Sequence, residues 1–167
     1  MSRKAQLWHF DLIIAIIIFT TTLILFYSGR LNIEHDTELL LDDINREGNF
    51  IADSLMSAGF PENWTTDNVI AAGIVRNNRF NQEKINTLDS LGYNKTRSVF
   101  RTKYNFYLFF EDALSYPVNM LPGSEGIGYP GVNTGNIDNV STNNLIKITR
   151  FGVYNSEPVR MVLYIWT

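Results

Sequence analysis

The sequence has no cysteine. Disulfides, thiolate metal sites and a cysteine nucleophile are therefore excluded, and cysteine usage leaves the compartment undecided. Histidine is nearly absent too: His9 and His35 are the only two. Both sit early in the chain, so no HExxH, His-x-Glu or Ser-His-Asp set can be built from the rest. There is no basic block. With 14 Lys+Arg against 17 Asp+Glu the net charge is −3, and nothing points to nucleic acid. Gly123, Gly126 and Gly128 neither follow an expected strand nor open an expected helix, which argues against a phosphate loop. Glu111, Asp112 and Asp138 are loop carboxylates that could approach Ca²⁺, but no EF-hand spacing exists, and nothing selects a carboxylate pair for glycoside hydrolysis. The expectation is a protein that is not an enzyme, with no cofactor and no metal.

What is present is concentrated at one end. Leu12 to Tyr27 holds no charge, no Gly and no Pro. With Leu7, Trp8 and Phe10 in front, an apolar band runs from Leu7 to Tyr27, interrupted only by His9 and Asp11. A helix rises about 1.5 Å per residue and a bilayer core is about 30 Å thick, so this band spans it. Lipid offers a backbone no hydrogen-bond partners, which leaves a helix as the only single-segment solution. The competing reading is a buried core helix of a soluble domain. Thr20, Thr21 and Thr22 within the band can bond back to their own helix carbonyls and signal little.

Arg3 and Lys4 are the only charges before Asp11, whereas the far flank turns acidic through Glu34, Asp36, Glu38, Asp42 and Asp43. That asymmetry places the amino end in the cytoplasm and residues 29–167 outside it. Three processing readings follow: an uncleaved anchor, a secretory signal cut near Tyr27-Ser28-Gly29, or a cut in front of the band. The second fits poorly, because the apolar core is long for a secretory signal.

Arg3-Lys4-Ala5-Gln6, followed at once by an apolar helix with one acid near its start, resembles the class III signal of archaeal type IV pilin-like proteins. The resemblance covers residues 3 to about 28. It implies cleavage between Ala5 and Gln6 by a prepilin peptidase, with Asp11 in the place of the family's acidic residue. That acid is normally the fifth mature residue and Asp11 would be the sixth; a cut after Gln6 restores the count. It also implies assembly through the apolar helix with copies of itself or other pilins, at the membrane and then in a filament on the cell surface. Physically, a carboxylate inside an apolar band needs a partner. A neighbour's new terminal amine supplies one, and the alternative is that Asp11 reaches headgroup water beside His9.

Beyond the band about 140 residues remain, enough for one domain with its own core. A composition 45% hydrophobic and 13% aromatic argues against disorder. Asp36 to Met56 keeps a helical period through Leu40, Leu41, Ile44, Ile51, Ala52 and Leu55, with Gly48 a weak point and Gly59-Phe60-Pro61 a stop. Val69 to Val75 reads as a short strand. Asn81 caps an expected helix Gln82 to Leu91, ended by Gly92, and Asn94 caps a turn Lys95 to Phe100. Asn105 to Glu111 is an aromatic-rich strand candidate. Asp112 to Asn144, rich in Gly, Pro and Asn, reads as a long exposed loop. Leu145 to Phe151 and Val159 to Trp166 alternate and form a hairpin, with Val159, Met161, Leu163 and Ile165 on one face.

The expected fold is therefore α+β: leader 1–5, apolar helix 6–28, stalk helix 29–60, and a head 61–167 ending in an antiparallel sheet. Three sequons, at Asn63, Asn94 and Asn139, are candidate glycan acceptors if they lie outside the membrane. The expected function is a structural filament subunit, main or minor, with a role at the cell surface such as adhesion. The alternative is a single-pass anchored protein that binds an envelope or surface-layer partner and never polymerises.

Overall fold

The computed structural model describes residues 3–142 and 144–167; for 3–8 and 30–37 it describes the backbone alone. The chain is α+β. It opens with helix α1, Arg3–Leu55, within which the boundary between two compact units falls: Met1–Asp42 and Asp43–Thr167. The second unit is called the head below.

The head is built on a four-stranded antiparallel sheet in the order β4-β3-β6-β5. Its strands are β3 (Asn105–Glu111), β4 (Gly126–Gly128), β5 (Leu145–Tyr154) and β6 (Glu157–Trp166). Phe106, Leu108 and Phe110 lie opposite Ile165, Leu163 and Met161. They share a face with Ile148, against which the α1 segment from Asp43 packs. Ile44, Ile51, Ala52 and Leu55 of that segment are all 1% exposed or less. Gly48 explains how close the helix comes. A Cβ there would stand 2.5 Å from Ile148 Cδ1 and 2.9 Å from Ile165 Cγ2, closer than carbon atoms approach. The residue that weakens the helix by propensity is the one that lets it seat on the sheet.

The opposite face carries Tyr107, Phe109, Val162, Tyr164 and Trp166, packed under Ile137 with Val132, Val140 and Leu145. Phe109 and Tyr164 stack with centroids 6.1 Å apart. β3 and β6 are thus buried on both faces, which is why β3 reads as an almost unbroken apolar run. The expected single apolar face of β6, Val159, Met161, Leu163 and Ile165, is buried, and so is its other side.

The segment expected as a long exposed loop is largely exposed among its described residues, but it is not without structure. Within Asp112 to Asn144, β4 pairs with β3, and a 3₁₀ turn, Ile137–Asn139, drives Ile137 into the second core. Away from these anchors much of the chain stays at the surface, with Leu114 and Tyr116 exposed.

Around the sheet lie α2 (Gln82–Ser90), α3 (Tyr93–Phe100) and a small hairpin, β1 (Val75–Arg76) with β2 (Arg79–Phe80). Asn81 caps α2 as expected, its side chain accepting from the Lys84 N–H at 3.0 Å. Asn94 does not cap α3: the N-cap is Gly92, and Asn94 lies in the first turn. The expected strand Val69 to Val75 is reduced to a bridge between Phe60 and Ala71 and to the first residue of β1. Asn77 and Asn78, both at positive φ, turn the chain there into the hairpin. The expected stop at Gly59 comes late: α1 ends at Leu55, and Gly59, at φ +77°, shapes the turn beyond it, where a Cβ would meet the Trp64 indole at 2.6 Å.

Candidate functional site

The feature of the Met1–Asp42 unit that invites a function is the stretch His9–Gly29. It is 21 residues long with a mean hydropathy of 2.3, long and apolar enough to cross a membrane, and none of it is buried. From Leu12 to Tyr27 the large apolar side chains are each between 45% and 67% exposed. Those side chains occupy every direction around the helix, so no single face is left for a soluble partner to cover. The three threonine hydroxyls inside the band are withdrawn. The hydroxyls of Thr20, Thr21 and Thr22 donate to the carbonyls of Ile16, Ile17 and Ile18, each at 2.8 Å. Hydroxyls paired within their own helix add no unmet polar demand to the surface.

Asp11 stands exposed near the start of this stretch, two residues after His9. The helical backbone passes through Ala5 and Gln6, but the side chains of this expected processing pair lie outside the described residues, as does that of His35.

In the head, polar contacts clamp the α1 segment to the sheet. Asp43 accepts from Lys103 Nζ at 2.9 Å and from the Tyr104 hydroxyl at 2.7 Å, and pairs with Arg46 at 2.6 Å. The Lys103 and Tyr104 hydrogen bonds hold its carboxyl at about 2, well below the usual carboxylate range. Glu47 accepts from the Thr102 hydroxyl at 2.6 Å. Arg150 of β5 reaches Asp53 at 2.9 Å and Asn49 at 2.8 Å. A second clasp lies past the end of α1, where buried Lys84 donates to the carbonyls of Ala58 and Glu62. Burial pushes its ammonium below the ordinary lysine value, partly offset by the Glu62 charge. None of these partners was singled out from the sequence. Asp43 and Arg46 are three apart on a helix and so foreseeable as a pair, but Lys103 and Tyr104 lie some sixty residues away.

The remaining sequence candidates are dispersed. Glu111 is buried between Arg160 at 3.3 Å and Lys147 at 3.8 Å, across three adjacent strands. Asp138 accepts from the Tyr164 hydroxyl at 3.5 Å. Among the described residues no three metal-ligating side chains converge. A shallow groove of about 190 Å³ runs between α1 and α3, lined by Phe50, Ile51, Ile70, Val99, Phe100 and Arg101. It is smaller than a usual ligand site, roughly 300 Å³ upwards, and brings no acid, base and nucleophile together.

Asn63, Asn94 and Asn139 are all exposed. Asn63 lies on the turn pinned by Trp64, whose buried indole N–H donates to the Gly73 carbonyl at 3.0 Å. Asn94 is inside α3, and Asn139 ends the 3₁₀ turn. Comparison of the chain with protein-family models, with curated proteins and with solved structures finds no match in any of the three.

Proposed function

We propose that this chain is a structural subunit of an archaeal type IV pilus-like filament, held in the membrane by its apolar helix before assembly and engaged in no catalysis. The observation that supports the reading is the uncovered band from His9 to Gly29, apolar in every direction from Leu12 to Tyr27 and with its threonine hydroxyls paired internally. Such a surface requires lipid or the like surface of other subunits. Arg3 and Lys4 retain the amino end in the cytoplasm, because drawing two cations through lipid is costly. A prepilin peptidase cutting at Ala5–Gln6, or one bond later, removes them and leaves a helix free to pack with copies of itself. Asp11 then pairs with the new amine of a neighbour and sets the axial register.

The test is Asp11→Asn. In a bundle, Asn leaves the neighbour's amine unpaired in an apolar core, so expression and membrane recovery stay normal while incorporation into filaments falls sharply. Normal incorporation removes the assembly role of Asp11. A variant with no effect, together with a native chain still beginning at Met1 or Ser2 by mass spectrometry, favours the single-pass anchor that does not polymerise.

A further inference from the structure

The three sequons look alike in sequence and differ in the folded head. The acceptor motif demands a hydroxyl two residues after the asparagine, because a transferase has to hold that hydroxyl while it acts on the amide. At the first sequon Thr65 is exposed, on a stretch that belongs to neither helix nor strand; its hydroxyl donates to Asn68 Oδ1 at 3.1 Å, but that contact lies at the surface, where a competing partner can reach it. Trp64 between Asn63 and Thr65 is anchored in the core, so the turn is displayed on a fixed base. At the third sequon Ser141 is exposed, and the chain leaves Asn139 through Val140 in extended conformation (φ −61°, ψ 122°). The second sequon is closed. Thr96 is 0% exposed, and its hydroxyl donates to the Gly92 carbonyl at 2.9 Å. The Asn94 carbonyl is itself engaged by Ser98 Oγ at 3.0 Å. Reaching the Thr96 hydroxyl requires unwinding the first turn of α3.

We propose that the folded head takes an N-linked glycan at Asn63 and Asn139 and refuses one at Asn94. The proposal rests on the reading that the head lies outside the cytoplasm, where a membrane transferase and a lipid-phosphate-linked sugar donor meet it. In the transfer, asparagine Nδ2 attacks C1 of the donor sugar. The Nδ2–C1 bond forms and the bond from C1 to the phosphate oxygen breaks. The lipid phosphate leaves with the electron pair, and one amide proton passes to a base of the transferase. Nothing is oxidised or reduced.

The experiment is glycopeptide mass spectrometry on the full chain isolated from the cells that make it. Sugar on Asn63 and Asn139 with bare Asn94 is the expected result. Thr65→Ala should lose the sugar at Asn63 alone and Thr65→Ser should keep it; Ser141→Ala and Ser141→Thr should behave likewise at Asn139. All four changes are at exposed positions and leave the core intact. Sugar on Asn94 at an occupancy like the others overturns the proposal, since the chain is then modified before α3 folds. Bare Asn63 and Asn139 overturn it as well. A companion variant separates that failure from failure of the topology. The chain has no cysteine, so exposed Ser90→Cys is a unique handle for a membrane-impermeant maleimide on intact cells. Labelled Ser90→Cys with bare asparagines refutes glycosylation alone. Unlabelled Ser90→Cys refutes both the external head and the glycosylation that depends on it.

Discussion

Residues 12–27 and 44–55 belong to one helix and both carry large apolar side chains, yet these are placed differently. In the first stretch those side chains are 45% to 67% exposed; in the second, Ile44, Ile51, Ala52 and Leu55 are 1% exposed or less, and only Phe50 points outward, at 69%. Both the amount of apolar surface and its arrangement separate the two. Apolar residues at 44, 51, 52 and 55 return to one face at helical spacing, with Arg46, Glu47 and Asp53 between them. One stripe can be covered by one sheet. From 12 to 27 there is no stripe, since every direction is apolar, and only a medium that surrounds the helix can satisfy it.

The sharpest way to break this contrast is Ile17→Lys. An ammonium at the middle of the band costs about 3 kcal/mol on insertion, so most of the chain should disappear from the membrane fraction. Phe151→Lys alters a side chain that is even more exposed, 74%, but lies on the head. It should leave both membrane recovery and thermal unfolding unchanged within about 0.5 kcal/mol. Full membrane recovery of Ile17→Lys would show that lipid is not what the band meets.

Leu163→Ala tests the other side of the comparison. Leu163 is 0% exposed and sits between Leu108 and Ile148 in register. Its truncation should lower the stability of the head by about 3 kcal/mol in denaturant titration and leave membrane recovery intact.

A smaller and more discriminating change is Gly48→Ala. Helix propensity alone predicts a gain of about 1 kcal/mol. The methyl would instead collide with Ile148 and Ile165, so a net loss of about 1 to 2 kcal/mol is expected. A gain would mean that helix and sheet are less closely seated than described.

The smallest effect should come from Asp43→Asn, read as a function of pH. Asp43 is held at about 2 when folded, chiefly by its hydrogen bond to Lys103, against roughly 4 in an unfolded chain. A carboxyl depressed on folding contributes fully above its unfolded value and loses that contribution as pH falls through its folded one. Comparing melting temperatures at about pH 6 and about pH 3, the native head should lose more stability than the Asn variant over that interval. An equal loss in both would deny Asp43 its part in clamping α1 to the sheet.

Much of this protein was legible in the chain itself. The band is visible because its length and apolarity are properties of the sequence alone, and β3 and the β5–β6 hairpin because their patterns of aromatic and alternating residues are local. Asn81 as a cap follows from the same local chemistry. What lay beyond the sequence depends on residues far apart. The β4 strand exists because Gly126, Ile127 and Gly128 lie against β3, and nothing in three residues of that composition announces a strand. Gly48 reads as a defect until Ile148 and Ile165, about a hundred residues later, are seen against it. Asn94 has the chemistry of a cap, but Gly92 took that place, and the same turn of α3 buried the Thr96 hydroxyl. Which sequon is open was therefore settled by packing. A motif specifies its side chains, whereas access to them is a property of everything folded around it.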